Sequence, residues 1–178
     1  MGLRLRPNKK AENAREAFVE LYEYYLPKVF RYISYQVGDV HLAEDLTSAV
    51  FEKALTRLDS YRSNKASFST WLLSIARNAV IDHYRVRSRK VTISIEEAFE
   101  VVSEEISPEG KVIRRDELQR LETYLRELPQ QEREIISFKF GAELTNRQIA
   151  KILHLSESNV GTKLYRAICK LRDKFKEG

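Results

Sequence analysis

Two stretches of this chain set cations beside groups that recognise nucleic acid. In the first, Arg62, Ser63, Asn64, Lys65 and Ser67 form a polar loop, flanked by Tyr61, Phe68, Trp71 and, further on, Tyr84. From Arg77 to Lys90 five residues are basic and one is acidic. Cations neutralise phosphate, and aromatic rings stack on unpaired bases. A solvated basic face beside core aromatics has the same composition, so this stretch alone leaves both readings open. In the second, Ser158, Asn159, Thr162, Lys163, Arg166 and Lys170 recur at helical spacing. Their donors and acceptors suit base edges and phosphates in a major groove.

The spacing offers little to catalysis. His41, His83 and His154 stand far apart. Asp82 and His83 are adjacent, but helical neighbours point about 100° apart and cannot form a dyad. There is no Gly-rich phosphate loop and no carboxylate cluster at metal-ligand spacing. The single cysteine, Cys169, lies among apolar neighbours and reads as inert. No enzyme activity, cofactor or metal is expected.

Composition narrows the class. The chain has 178 residues with 31 Lys+Arg against 26 Asp+Glu, a net charge of +5. The charge is uneven: residues 1–91 carry +6, residues 92–111 carry −5 and residues 112–178 carry +4. Two basic blocks therefore flank an acidic segment. No apolar run approaches ~18 residues, so no membrane insertion is expected. The basic N-terminus lacks the apolar stretch of a secretory signal. One cysteine excludes a disulfide scaffold, and a cytoplasmic protein is the expectation. With only 6 Gly and 4 Pro, helices should run long.

These groups must be positioned by helices. Phe18, Leu21, Tyr22 and Tyr25, then Val29, Phe30 and Ile33, recur every three or four residues. Pro27 suits a helix start or a kink. Asp39 can cap a helix whose apolar stripe is Leu42, Leu46, Ala49, Val50, Phe51, Ala54, Leu55 and Leu58. Phe68, Leu72, Ile75 and Ala79 share one face of a helix running to about Ser88. In the second block, Leu118, Leu121, Leu125 and Leu128 form one helix, and Leu128-Pro129 opens the next. Ile135, Ile136, Phe138 and Phe140 supply that helix's apolar residues, and Gly141 can end it. Thr145-Asn-Arg-Gln148 is a capping box opening a short helix. His154-Leu155 makes a tight connection, and Ser156 caps a last helix with core face Val160, Leu164, Ile168, Leu171 and Phe175. A short helix, a tight turn and a capped second helix make a helix-turn-helix. The expected fold is all-α. An arm (1–13) leads into a helical bundle (14–91), and an irregular acidic linker (92–115) joins it to a helix-turn-helix domain (116–178).

The segment from Val37 to Phe51, followed by Phe68-Ser-Thr-Trp-Leu-Leu-Ser-Ile-Ala-Arg-Asn-Ala-Val-Ile-Asp-His-Tyr-Arg85, resembles the second region of bacterial sigma factors. Leu125-Arg-Glu-Leu-Pro129, then Thr145 through Phe175, resembles their fourth region. No room exists for an intact third region, a layout similar to the extracytoplasmic-function (ECF) subfamily.

The resemblance implies a protein that binds core RNA polymerase and directs it to promoters. It assigns polymerase docking to Asp45, Leu46, Ser48, Val50 and Phe51, of which Leu46, Val50 and Phe51 would serve equally as plain core. Promoter DNA would be met as duplex at the minus-35 element and as melted non-template strand; the resemblance assigns the minus-ten element to Arg62, Ser63, Asn64, Lys65 and Ser67 in the loop, which would pocket a flipped base. Trp71, Ser74, Arg77, Asn78, Ile81, Tyr84 and Arg85 on the helix complete that set. It assigns the minus-35 element to Ser158, Asn159, Thr162, Lys163, Arg166 and Lys170, with Arg147 on phosphate. Ser48 and Ala49 stand where the family usually has Gln and Glu, Gly161 where it has Lys, and His154 where it has Gly.

An anti-sigma factor holds many family members, and the free chain is expected to be a monomer. Two domains this small gain apolar burial by packing on each other or on an inhibitory partner. The alternative reading is a helix-turn-helix transcriptional regulator that binds duplex DNA without docking on polymerase.

Overall fold

A computed structural model describes residues 9–91 and 112–177, with side chains from 18 to 87 and from 120 to 176. The arm up to residue 8 and the acidic segment 92–111, with Glu96, Glu97, Glu104 and Glu105, lie outside the described residues.

Helix α1 (Lys9–Val37) runs unbroken through Pro27. Proline removes one backbone donor, but Glu23 and Pro27 are both exposed, so the carbonyl left over faces water. Gly38 ends the helix at φ 65°, a left-handed conformation natural to glycine, and its N–H donates to Ser34 O at 2.9 Å. Asp39 caps α2 (Val40–Thr56) by accepting from Leu42 N–H at 2.9 Å, as its sequence position suggests. The buried stripe of α2 is Ala43, Thr47, Val50, Phe51 and Ala54. Ala49 and Leu55, expected in that stripe, are exposed. A single 3-10 turn (Leu58–Ser60) and a loop lead to α3 (Phe68–Val91).

Helix α4 (Val112–Glu127) begins inside the stretch read as linker. Pro129 opens the short α5 (Gln130–Ile136), which widens into a π turn over Ser137–Gly141. The wider turn rotates Phe140 outward, to 52 % exposure, against the expectation that it is core. The helix-turn-helix follows as α6 (Asn146–Leu153) and α7 (Glu157–Glu177). On α7 the inward row is Val160, Leu164, Ala167 and Leu171, not Ile168 and Phe175, both of which are exposed. Ala167 takes the place expected of Ile168; its small side chain lets α7 sit close to Leu125, Leu128 and Ile136.

The two blocks share one core. Val29, Tyr32 and Ile33 of α1, Val50 of α2, and Leu72, Leu73 and Ala76 of α3 pack in a single cluster with Ile135, Phe138, Ile149 and Val160. Tyr32 and Phe138 stack at its centre, ring centroids 4.3 Å apart and 13° from parallel. Both are fully buried; burying Phe138 stabilises by about 1.5–3 kcal/mol, and the ring pair adds about 0.5–1.5 kcal/mol. The two helical blocks are therefore packed on each other, one of the two arrangements expected to add apolar burial.

Candidate nucleic-acid interface

The loop before α3 is built on a floor of rings. Tyr61, Phe68 and Trp71 lie within 5.2–5.5 Å of one another, and Tyr25 of α1 joins at 5.2 Å from Phe68. Tyr61 Oη donates to Ala66 O at 3.1 Å and closes the loop on itself. Arg62 donates to Asp59 O at 2.7 Å, which fixes the entry. Ser67 caps α3 by accepting from Thr70 N–H at 3.3 Å. The loop therefore holds Arg62, Ser63, Asn64, Lys65 and Ser67 exposed over half-buried aromatics. Asn78, Ile81 and Arg85 are exposed along α3, while Trp71, Ser74, Arg77 and Tyr84 are half-buried. Ser74 Oγ donates to Thr70 O at 2.7 Å, and Tyr84 Oη donates to Gln36 O at 2.8 Å.

In the helix-turn-helix both caps form. Gln148 Oε1 accepts from Thr145 N–H at 2.9 Å, and Thr145 Oγ1 accepts from Gln148 N–H at 3.3 Å. Ser156 Oγ accepts from Asn159 N–H at 3.1 Å and starts α7. His154 makes the turn at φ 55°, the left-handed conformation its place in the turn calls for. Ser158, Asn159, Thr162 and Arg166 stand exposed on α7, with Lys163 half-buried beside them and Arg147 exposed on α6. Lys170 is held by Glu132 at 2.8 Å.

On α2, Asp45 and Ser48 are exposed and Leu46 is half-buried. Val50 is fully buried, and Phe51 is buried against Tyr22, 4.7 Å between centroids. These two are core, the role their apolar character already allowed, because the α2 stripe turns them toward α1 and α3. Beside Ser48 lies an apolar groove of about 370 Å³ between α1 and α2, lined by Leu26, Pro27, Phe30, Glu44, Thr47 and Ser48.

Sequence reasoning named Arg77 and Gln148 for other roles and missed the pairings that join the two blocks. Arg77 Nε donates to Glu134 Oε1 at 2.6 Å. Gln148 Nε2 donates to Ser69 Oγ at 2.9 Å and approaches Ser67 Oγ at 3.4 Å. Gln36 Nε2 donates to the buried Ser137 Oγ at 2.7 Å. Glu143 accepts from Lys28 at 2.9 Å and Arg31 at 2.7 Å, and Arg126 donates to Gly38 O at 2.7 Å. Glu143 sits at φ 59°, a conformation strained for a residue with a side chain and here offset by two cations. Hydrogen bonds from Lys28 and then Arg31 hold its pKa below the ordinary glutamate value. Burial, followed by the Glu134 charge, pushes the Tyr32 phenol well up.

Among the described residues no helix is long and apolar enough to cross a membrane. No group of three His, Cys, Asp or Glu among them is placed to hold a metal ion.

The family model Sigma-70 region 2 matches residues 21–90, and Sigma-70, region 4 matches residues 118–171. The ECF RNA polymerase sigma factor SigM of Bacillus subtilis is 31% identical over 159 residues, covering 89% of this chain and 95% of the relative. The ECF RNA polymerase sigma factor BldN of Streptomyces coelicolor is 33% identical over 153 residues, covering 86% of this chain. The match spans 58% of the length of that relative. In fold, the chain is similar to the sigma factor RpoE solved in complex with the anti-sigma factor NepR from Bartonella quintana. That match has a TM-score of 0.77 at 23% identity and covers 90% of this chain and 98% of that one. This chain belongs to the ECF family of RNA polymerase sigma factors.

Proposed function

We propose that the chain binds core RNA polymerase and directs it to a set of promoters, acting by binding and without catalysis of its own. The observation that carries this is the presence, on one chain, of an aromatic-floored basic loop and a doubly capped helix-turn-helix. The first suits unstacked bases of a melted minus-ten strand: a flipped base loses stacking worth a few kcal/mol, and a ring-lined pocket offsets it. The second suits the major groove of the minus-35 duplex, with Ser158, Asn159, Thr162 and Arg166 toward the DNA and Arg147 on phosphate. Asp45, Ser48 and the groove beside them are the polymerase-docking surface in this reading. The chain works in the cytoplasm, where the polymerase is, and an anti-sigma factor is a natural regulator.

The test mixes the purified chain with bacterial core polymerase and scores co-elution and transcripts from genomic DNA. Co-elution with a defined promoter set supports the reading. Tight duplex binding by the chain alone, with neither co-elution nor transcripts, would replace it with a transcriptional regulator.

A further inference from the structure

A second apolar concavity lies away from the aromatic loop and from the exposed face of α7. It is a groove of about 310 Å³ bounded by Tyr35 of α1, Leu121 of α4, Phe140 of the π turn, and Ile168, Leu171 and Arg172 of α7. Phe140 is 52 % exposed and Ile168 40 %. The π turn is fixed with Phe140 outward. At the next residue, Gly141, a Cβ would lie 3.1 Å from Tyr32 N and 3.2 Å from Arg31 C, backbone atoms that cannot swing aside. The turn therefore has no room to roll toward α1 and bury the ring. Large apolar side chains gathered round a concavity mark a docking surface.

The rim carries one loosely held cation. On α7, Lys170 and Lys174 are taken by Glu132 at 2.8 Å and Glu127 at 2.7 Å. Between them Arg172 has, among the described residues, one ion pair, with its neighbour Asp173 at 3.9 Å. An occupant of this groove should be apolar on one side and acidic beside it.

We propose that the occupant is the chain's own acidic segment: residues 92–111 return along α4 and set Phe99 into the groove, with their glutamates toward Arg172. Three observations point to it. The first is pattern. Ile95, Phe99, Val102 and Ile106 are spaced by four, three and four residues, one face at helical spacing. Glu96, Glu97, Glu100 and Glu104 fall off that face. The second is charge: the segment carries −5 between blocks of +6 and +4. The third is the connection. Ser107-Pro-Glu-Gly110 is a turn signal just before α4, which opens at Val112. An apolar stripe, a turn of a few residues and a helix make the layout of a helical hairpin. Phe99 lies seven residues before Ile106, and Leu121 lies nine after Val112. The two therefore fall within about 3 Å of each other along the pair, at 1.5 Å of rise per residue. The segment is tethered to α4, so even a weak fit fills the groove. This inference stands apart from the promoter-binding reading.

Amide hydrogen exchange tests it, in the full-length chain at two protein concentrations. Three variants accompany wild type. Ile168→Asp spoils the groove and leaves the segment untouched. Phe99→Ser removes the anchor. Arg172→Glu reverses the rim charge. In wild type, amides 95–106 should exchange at least about tenfold more slowly than in a synthetic peptide of residues 92–111, equally at both concentrations. Ile168→Asp and Phe99→Ser should return them to the peptide's rate, and Arg172→Glu should bring them part of the way.

Exchange at the peptide's rate in wild type overturns the proposal and leaves the groove to another protein. Protection that survives Ile168→Asp overturns it as well, since the segment would then be held elsewhere. Protection that grows with concentration gives the groove to a second copy and overturns it too. Should Ile168→Asp fail to fold, Arg172→Glu decides: it lies on the exposed rim, and unchanged protection there refutes the docking.

Discussion

Gln148 performs two tasks with one amide: its oxygen closes the cap of α6 on Thr145, and its nitrogen reaches Ser69 at 2.9 Å across the two blocks. The two tasks can be separated. Gln148→Glu keeps the accepting oxygen but loses the donor toward Ser69, while Gln148→Ala loses both. A cap is worth about 1 kcal/mol and a neutral hydrogen bond about 1 kcal/mol. Urea unfolding should place Gln148→Ala about 2 kcal/mol below wild type and Gln148→Glu roughly midway. Equal losses would mean that the bond to Ser69 contributes nothing.

The loop's own closure is testable at Tyr61. Removing its hydroxyl deletes the bond to Ala66 O but leaves the ring in the aromatic floor. Tyr61→Phe should weaken binding of the minus-ten single strand about fivefold, the worth of about 1 kcal/mol. Thermal unfolding should barely change. Trp71 is the lone tryptophan and sits in the same floor, so its fluorescence reports the binding directly.

On the helix-turn-helix, Asn159 and Arg147 should separate sequence reading from anchoring. Asn159→Ala should relax discrimination at one base pair of the minus-35 element by about 1–3 kcal/mol. Arg147→Ala should weaken all sequences alike and lower the salt slope by about one. Competition binding with single-base variants of the duplex at several salt concentrations measures both.

Gly161 should tolerate a side chain. A Cβ there meets only Asn146 Nδ2 at 3.7 Å, an ordinary contact. Gly161→Ala should raise stability by about 1 kcal/mol through helix propensity. A loss on thermal unfolding would show that the glycine serves packing.

The Glu143 corner should respond to acid. Its carboxylate is held below the ordinary glutamate pKa by Lys28 and Arg31. A depressed folded pKa gives stability that is fully present above the unfolded value, about 4.3, and is lost as pH falls through the lower folded value. Lys28 is raised, first by the Tyr24 hydroxyl and then by Glu143. Its contribution is full below about 10.4 and is lost only as pH rises through the higher folded value. The corner should therefore be level between roughly pH 5 and 10. Below that window, urea midpoints of wild type should fall more steeply than those of Glu143→Gln. Parallel acid limbs would remove Glu143 from the account.

Much of this was legible in the sequence because it is local. Asp39, Thr145, Gln148 and Ser156 cap helices a few residues away, and His154 turns where the spacing demands it. The helix-turn-helix and the aromatic loop follow from those signals. What was not legible depends on pairing across more than fifty residues. Nothing near Arg77 announces Glu134, and nothing near Gly141 announces the backbone of Tyr32. The rotation of Phe140 outward depends on a π turn, which no periodicity of 3.6 foretells. The burial of Val50 and Phe51 could not be told from a docking role by residue type alone, since both roles call for apolar side chains.

The core shared by Tyr32 and Phe138 has a consequence for exchanging parts among relatives. Grafting one family member's carboxyl-terminal half onto another's amino-terminal half is the direct way to transfer promoter preference. Here such a graft also transplants half of an interior. The incoming half must carry a flat ring at 138, a hydrogen-bonding side chain at 137 and a glycine at 141 to meet the resident α1. Chimeras that respect those three positions should fold and read hybrid promoters, and those that do not should fail before any DNA is met.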